Sequence, residues 1–511
     1  MTSLVFIPPD LLPPALGSVQ TVAFSICRAS RVVHLVVMVS ADCALHYSLV
    51  TGSHSDPVCL SLLHQRNAAR CRVVAEKNGG LYIKTGQGVA TMNNVLPPEY
   101  CVELSSLHDD VPKRTMEEIL PELWRWLAAD PKEFFSYISD EPVAAASIAQ
   151  VHSGVTRQEG RKVAIKIQYR EVKANFYGDM KAISAVFRGL RYFFPKYDFV
   201  SMMEAIEEFY ALELNFEVEG RNAEEYHKYL SRRYPDHSVV APRVLERFTR
   251  EGLLVTDFFD SACRVTDIEG LRCRGLRAAD VASLTIDAFS HMLFHCGLVH
   301  ADPHPGNVLV RQHPDKTGNC PQIAILDFGL MARMNPEQRV EFCNIFNAAV
   351  MHNDEFLFHT ARRMGMLPPG VMTDTDSKQA ASVLGTLFIQ EPYDLFEITR
   401  SVGILSGDVS HMQKFWDEQA ESISRVAVML PKEYIMALTN MDIVRSLHRD
   451  LGSPFNRLMA MAHVSNKVVA ATHSTRKGWY RIQLWFWLHW RYFMMTVAEL
   501  LFSFSSQKAA R

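Results

Sequence analysis

The spacing of apolar residues divides the chain into stretches of different character. Residues 1–70 show little pattern. From about Arg72 to Glu118 apolar residues recur at helical spacing, with a Gly-rich interruption at KNGGLYIKTGQG, and VLPPEY reads as a loop feeding the next helix. Over residues 134–168 the period shortens. FFSYIS, SIAQVHSGV and KVAIKIQY are three short β-prone runs, separated by DEPVAAA and TRQEGR, and they predict an antiparallel meander. Residues 201–230 return to helical spacing, and REGLLVTDFFD (250–260) is one more strand followed by a turn.

Val281, Leu284, Ala288, Phe289, Met292, Leu293 and Cys296 mark one face of a long helix, with Gly297 as its stop. NVLV (307–310) and QIAILDFG (322–329) flank a polar turn and predict a hairpin. Asn335 as N-cap and Pro336 at the first helical position open a further helix, and residues 337–511 are helical almost throughout. A helical preface, a small β-meander and a helical half carrying one polar hairpin predict an α+β chain of two lobes.

Composition narrows the classes. Hydrophobic residues at 48% and charged residues at 21% describe a packed globular chain. With a net charge of −3 there is no overall basic field, so nucleic acid is not an expected partner. The ten cysteines are scattered singly with no C-x-x-C pair, which argues against a zinc ribbon or thioredoxin motif and suggests reduced thiols in an intracellular compartment. FIPPDLLPPALG breaks the early apolar run, so a secretory signal is not expected. Residues 11–41 contain Arg28 and Arg31 and no acid, a faint transit-peptide character. Residues 31–50 are apolar, but Asp42 near the middle argues against a spanning helix. The most apolar segment is RIQLWFWLHWRYFMMTVAELLFSF (481–504), where Trp485, Trp487, Trp490 and Tyr492 suit a headgroup-level position. Peripheral membrane contact is expected there, with a docking helix of a C-terminal bundle as the alternative.

The chemistry concentrates in GLVHADPHPGNVLV. His300, Asp302 and Asn307 form H-x-D-x-x-x-x-N, and Asp327, Phe328 and Gly329 follow on the predicted hairpin. In phosphoryl transfer the protein mainly positions a nucleotide and holds divalent metal. Mg²⁺ takes few protein oxygens and keeps the rest for phosphate and water. Asn307 and Asp327 are therefore candidate metal ligands, and Asp302 would orient or deprotonate an attacking hydroxyl or water. Lys166, on the third β-run, matches the lysine that contacts nucleotide α- and β-phosphates in kinase-like folds. Glu213, Glu217 and Glu219 in ELNFEVEGRN are candidate acidic partners. Six residues apart on a helix, Glu213 and Glu219 would point about 120° apart and serve different partners. Where a glycine-rich phosphate loop belongs, the chain has PVAAAS, with Ala144, Ala145, Ala146 and Ser147. Alanine carries a Cβ, so such a loop presents its N–H groups less freely.

Two other patterns carry less. LHRDLG (447–452) imitates a kinase catalytic loop, but no Asn follows at the required distance, and His448, Arg449 and Asp450 read as an exposed helix face. His295, His300 and His304 lie across a Gly and a Pro, and no regular element puts them on one face for zinc.

YIKTGQG, VAAASIAQVH, VAIKIQY, ELNFEVEGRN, LVHADPHPGNVLV and ILDFG together resemble the UbiB, or AarF-domain-containing, atypical kinases, over about residues 75–370 and more loosely the tail. NGGLYIKTGQG and EGRNAE look closest to the AarF-domain-containing kinase five branch. The resemblance implies a two-lobed protein-kinase-like fold with ATP and Mg²⁺ as cofactors. It implies that Lys166 pairs with Glu219. It implies that Glu213 and Asn215 occupy the family's E-x-D motif and face Lys84 and Gln87 of K-x-G-Q, which includes Gly86. It implies that the helical extension folds over the active site, and that Asp257 lies near the adenine and ribose. It also implies isoprenoid-lipid or quinone biology at a mitochondrial or plastid membrane. Asn215 departs from the family's Asp, so looser gating by K-x-G-Q is expected.

The expected organisation is an unpatterned segment at 1–70 with targeting or membrane association in view, then the K-x-G-Q extension at 71–128. A kinase-like N-lobe at 129–260, a C-lobe at 261–400 and a helical tail at 401–511 follow. No A-P-E follows Asp327-Phe328-Gly329, so an ATPase or a small-molecule or lipid kinase is expected rather than a peptide kinase. The alternative is a nucleotide-gated pseudokinase acting as a membrane-lipid scaffold. A choline- or aminoglycoside-kinase-like enzyme would share H-x-D-x-x-x-x-N but leave Lys84, Gly86 and Gln87 unexplained.

Overall fold

The computed structural model describes residues 14–49, 57–90, 97–108, 113–193, 207, 211, 213–316, 318–363, 374–390 and 430–472. The apolar segment 481–504 lies outside the described residues. No described helix is long and apolar enough to cross a membrane. The chain divides into two compact units, residues 1–224 with 242–258, and residues 225–241 with 259–511. The helical preface and the β-meander fall in the same unit.

Residues 1–70, expected to be unpatterned, hold helix α1 (Pro14–Leu49) and the start of α2 (Pro57–Asn78). The pattern is blurred because α1 has no single apolar stripe. Ile26, Val33, Val37 and Leu45 are all more than half exposed, while Arg28 is buried. Arg28 Nε donates to Asp179 Oδ1 at 2.9 Å, and its Nη1 donates to the Asn78 carbonyl. Gly79 and Gly80, with φ of +66° and +51°, turn the chain from α2 into α3 (Leu81–Ala90). The K-x-G-Q residues thus sit inside a helix, not in an interruption. Helix α4 (Pro98–Ser105) follows; Leu81, Tyr82, Ile83, Leu104 and Leu107 share a core with Val32, Phe176, Met180 and Ile183.

Helices α5 (Met116–Leu127) and α6 (Pro131–Phe134) lead into the sheet. β1 (Phe135–Ile138), β3 (Ala149–Thr156) and β4 (Lys162–Gln168) are the expected meander, with a short added strand, β2 (Ala144–Ala145), inside the DEPVAAA separator; helix α7 (Arg170–Phe193) and helix α8 (Phe216–Arg233) follow. The chain passes into the second unit within α8, after Glu224, contributes β5 (Val239–Val240) there, and returns at Pro242 to form β6 (Leu253–Asp257). The sheet order is β1-β3-β4-β6, with β2 on β3. Val163, Ile165 and Ile167 alternate into a core with Ile119, Leu123, Leu253 and Val255. Period-two alternation puts Lys166 on the other face of β4.

In the second unit β7 (Cys263–Arg264) precedes α9 (Ile268–Cys273) and α10 (Ala278–Ser290). Helix α10 continues into a π-turn, His291–Cys296, which Gly297 ends at φ +73°. β8 (Leu298–His300) pairs antiparallel with β11 (Met331–Arg333). The hairpin is β9 (Val308–Gln312) with β10 (Pro321–Ile325), in a sheet of order β5-β10-β9-β7. Asn335 caps α11 (Pro336–Val350) in a capping box with Gln338. Helices α12 (Asp354–Arg363), α13 (Asp374–Ile389), α14 (Lys432–Asp450) and α15 (Arg457–Thr472) follow. The helical tail expected at 401–511 contributes α14 and α15 to the second compact unit. His448, expected on an exposed face, is buried, its ring 4.8 Å from that of Phe455. The face of α14 that carries it packs inward, which a motif comparison could not show.

Candidate functional site

The candidate residues fall into two sets, one in each unit. In the first, Lys166 Nζ donates to both carboxylate oxygens of Glu219, at 2.7 and 2.9 Å. Glu219 lies in the first turn of α8, and its side chain is only 3% exposed against 17% for Lys166. The ammonium also sits 4.9 Å from the ring centroid of Phe216, which is fully buried. Lys84 in α3 pairs separately with Glu213 at 3.0 Å. Glu213 and Glu219 do serve different lysines, for a reason other than helix geometry. Glu213 precedes α8, and the helical conformation is interrupted at Leu214 and Asn215 between them.

Asn215 has a local role at the start of α8. Its Oδ1 accepts from the Glu217 N–H at 2.9 Å, which caps the start of α8. Gln87 likewise turns to the Leu107 carbonyl, with Nε2 donating at 2.9 Å. Gly86 has a steric role: a Cβ there would lie 2.4 Å from Leu107 Cδ1. Lys84 keeps Glu213 as an acidic partner although position 215 carries no charge.

The alanine loop is a tight hairpin. The Ala146 N–H donates to the Ala149 carbonyl at 2.7 Å, and Ser147 and Ile148 form the turn. Ala144 and Ala145 lie in β2, and Ser147 is buried. Asp257 ends β6 with its carboxylate held by the Arg161 guanidinium.

In the second unit His300 is 1% exposed. Its Nδ1 accepts from the Asp302 N–H at 3.2 Å, which leaves Nε2–H to donate to the Asp327 carbonyl. Burial above all holds its pKa down, against the opposing pull of Asp327 and Asp302. A neutral imidazole thus ties the backbone at Asp302 to the D-F-G strand end. Asn307 Nδ2 donates to the Asp302 carbonyl at 3.2 Å, and the Gly329 N–H donates to Asp327 Oδ1 at 2.9 Å. Phe328 is fully buried, its ring centroid 4.9 Å from that of Tyr226 and 5.7 Å from that of His300. Among the described residues no group of three or more His, Cys, Asp or Glu is placed to hold a metal.

Sequence reasoning missed Asn440. This buried residue of α14 donates from Nδ2 to the His300 carbonyl at 2.6 Å. A lone Asn in a helix carries no motif, so only the fold could reveal it. Phe216, inside ELNFEVEG, carries no motif signal of its own either.

A strand lysine salt-bridged to a helix glutamate, and an H-x-D-x-x-x-x-N loop joined to a D-F-G hairpin, define a kinase-like fold. Residues 106–360 match the ABC1 atypical kinase-like domain. The chain belongs to this family of ABC1, or AarF-domain-containing, atypical kinases. It is 30% identical over 421 residues to a probable serine/threonine-protein kinase, abkD, of Dictyostelium discoideum, covering 82% of this chain and 58% of that one. It is 29% identical over 432 residues to AarF domain-containing protein kinase 1 of Xenopus laevis, covering 84% of this chain and 79% of that one. A solved structure of a Mycobacterium tuberculosis protein with erythromycin aligns at a TM-score of 0.41 and 21% identity, over 77% of this chain and 97% of that one.

Proposed function

We propose that the chain binds ATP with Mg²⁺ and either hydrolyses it or transfers its γ-phosphoryl group to a small or lipid-like acceptor. The observation that carries this reading is the Lys166–Glu219 pair. A flexible lysine is a useful phosphate ligand only when its ammonium is held in place, and two carboxylate oxygens and an aromatic face hold this one.

Asn307 and Asp327 would hold the metal. Both offer hard oxygens, and the donation from Asn307 Nδ2 to the Asp302 carbonyl orients the amide so that its oxygen is the ligand atom. Bound Mg²⁺ would neutralise charge on the phosphates. Asp302 would orient or deprotonate the attacking group. Asp257, with Arg161, is the candidate for the adenine and ribose end. Lys84 and Glu213 would set the position of the K-x-G-Q helix.

The absence of a peptide acceptor is supported by the chain after Gly329. Only Leu330 to Met334 precede the N-cap Asn335, and most of that segment is tied up in β11. Family resemblance supports isoprenoid-lipid or quinone metabolism at a mitochondrial membrane, and NGGLYIKTGQG and EGRNAE support the kinase five branch.

The test is Mg²⁺-dependent phosphate release from ATP, with and without lipid vesicles. Wild type is expected to turn over, while Asp327→Asn and Lys166→Ala are expected to lose at least about a hundredfold in kcat/KM. A second reading, a nucleotide-gated scaffold, is favoured by the alanine hairpin, whose Ala146 N–H is already engaged. A nucleotide-induced thermal shift without turnover in wild type would establish that reading instead.

A further inference from the structure

We propose that a cavity of about 400 Å³ in the second unit, lined by Arg233, Ser290, His291, Phe455, Met459 and Lys467, binds a small amphiphilic anion, a carboxylate or phosphate head on a short apolar body. The volume lies within the range of small-molecule sites. Its walls come from the end of α8, the junction of α10 with the π-turn, and α15 with the loop before it.

The polar lining is short of acceptors. Arg233 Nη2 donates to His291 Nε2 at 2.8 Å. A guanidinium can only donate, so the imidazole carries its proton on Nδ1. That Nδ1–H, like Ser290 Oγ, finds no partner among the described residues, but both atoms are shut off from the cavity surface, so an anion there meets Arg233 and Lys467.

The charges also favour an anion. Asp287 is the carboxylate in the lining, and it already accepts from the Tyr234 hydroxyl at 2.6 Å and from Arg233 at 3.4 Å. The two cations are Arg233 and Lys467. Burial first, and then Arg233, His295 and Lys467 working against Asp287, push His291 down to about 4. It is therefore neutral near pH 7. Ile286, Phe455, Met459 and Val464 supply an apolar wall. The π-turn that begins at His291 is a second sign, because such turns recur at functional sites.

The full chain is titrated calorimetrically with hexyl phosphate, hexanoate, hexanol and inorganic phosphate. Hexyl phosphate, hexanoate or both are expected to bind at least about tenfold more tightly than hexanol and inorganic phosphate. Which of the two binds tells a phosphate head from a carboxylate head. Lys467→Glu, at an exposed position, and Ala460→Trp, which fills the cavity, are each expected to weaken that binding about tenfold or more. Lys467→Glu remains decisive if Ala460→Trp does not fold. No binding of either anion, binding unchanged in Lys467→Glu, or competitive displacement by ATP would overturn the assignment.

Discussion

His300 has almost no exposed surface, so its ring serves its neighbours: one nitrogen receives the Asp302 N–H and the other reaches the Asp327 carbonyl. The carbonyl of the same residue is held by Asn440. Replacing Asn440 with Ala leaves that buried carbonyl without its donor, at a cost of about 1–3 kcal/mol. Asn440→Ala is therefore expected to lower kcat for phosphate release more than it raises KM for ATP. An unchanged kcat in a folded variant would refute this positioning role. Asn215 makes a contrasting case. Asp and Asn cap helices about equally well, so Asn215→Asp is expected to leave stability within about 0.5 kcal/mol, whereas Asn215→Ala loses about 1 kcal/mol. Urea unfolding curves of the three proteins measure this. A gain of acidic charge that tightened nucleotide binding severalfold would restore the family-motif reading of this position.

At the scale of elements, the most regular patterns were readable. The meander, the hairpin and the capped helix at Asn335 appear where alternation and turn residues put them, because strand period and cap chemistry are local. Helix α1 was not readable, since its exposed Ile26, Val33 and Val37 and its buried Arg28 hide the stripe that burial would leave. The glycines of NGGLYIKTGQG misled for a related reason. Gly79 and Gly80 do turn the chain, but Gly86 lies within α3 because Leu107 leaves no room for a side chain. Gly86→Ala is expected to destabilise by about 1–3 kcal/mol through overpacking. The shift should appear in the denaturant midpoint. An unaltered midpoint would mean that the glycine is required for something other than packing.

Over the whole molecule, family motifs pointed to the two sets of candidate residues, but long-range partners such as Asn440 and buried faces such as that of His448 depend on packing that no local window contains. Titration is likewise a property of the whole fold. Burial is the first cause holding His152, His291, His300 and His448 below the usual histidine range, to about 4 for His291 and His448. The unfolded chain takes up these protons near pH 6.5 and the folded chain only at lower pH. Their stabilising contribution is thus complete above about pH 6.5 and is lost as the pH falls toward about 4. The thermal midpoint is expected to be several degrees lower at about pH 5 than at about pH 7.5, and His448→Gln should flatten the slope. A midpoint independent of pH across that window would contradict it.

The setting of Phe328 bears on pharmacology. Compounds that inhibit by levering this phenylalanine out into solvent would have to separate its ring from Tyr226 and His300. They would also strain the β8–β11 ladder that starts just beyond it. Inhibitors that leave the ring in place should therefore succeed where levering ones fail.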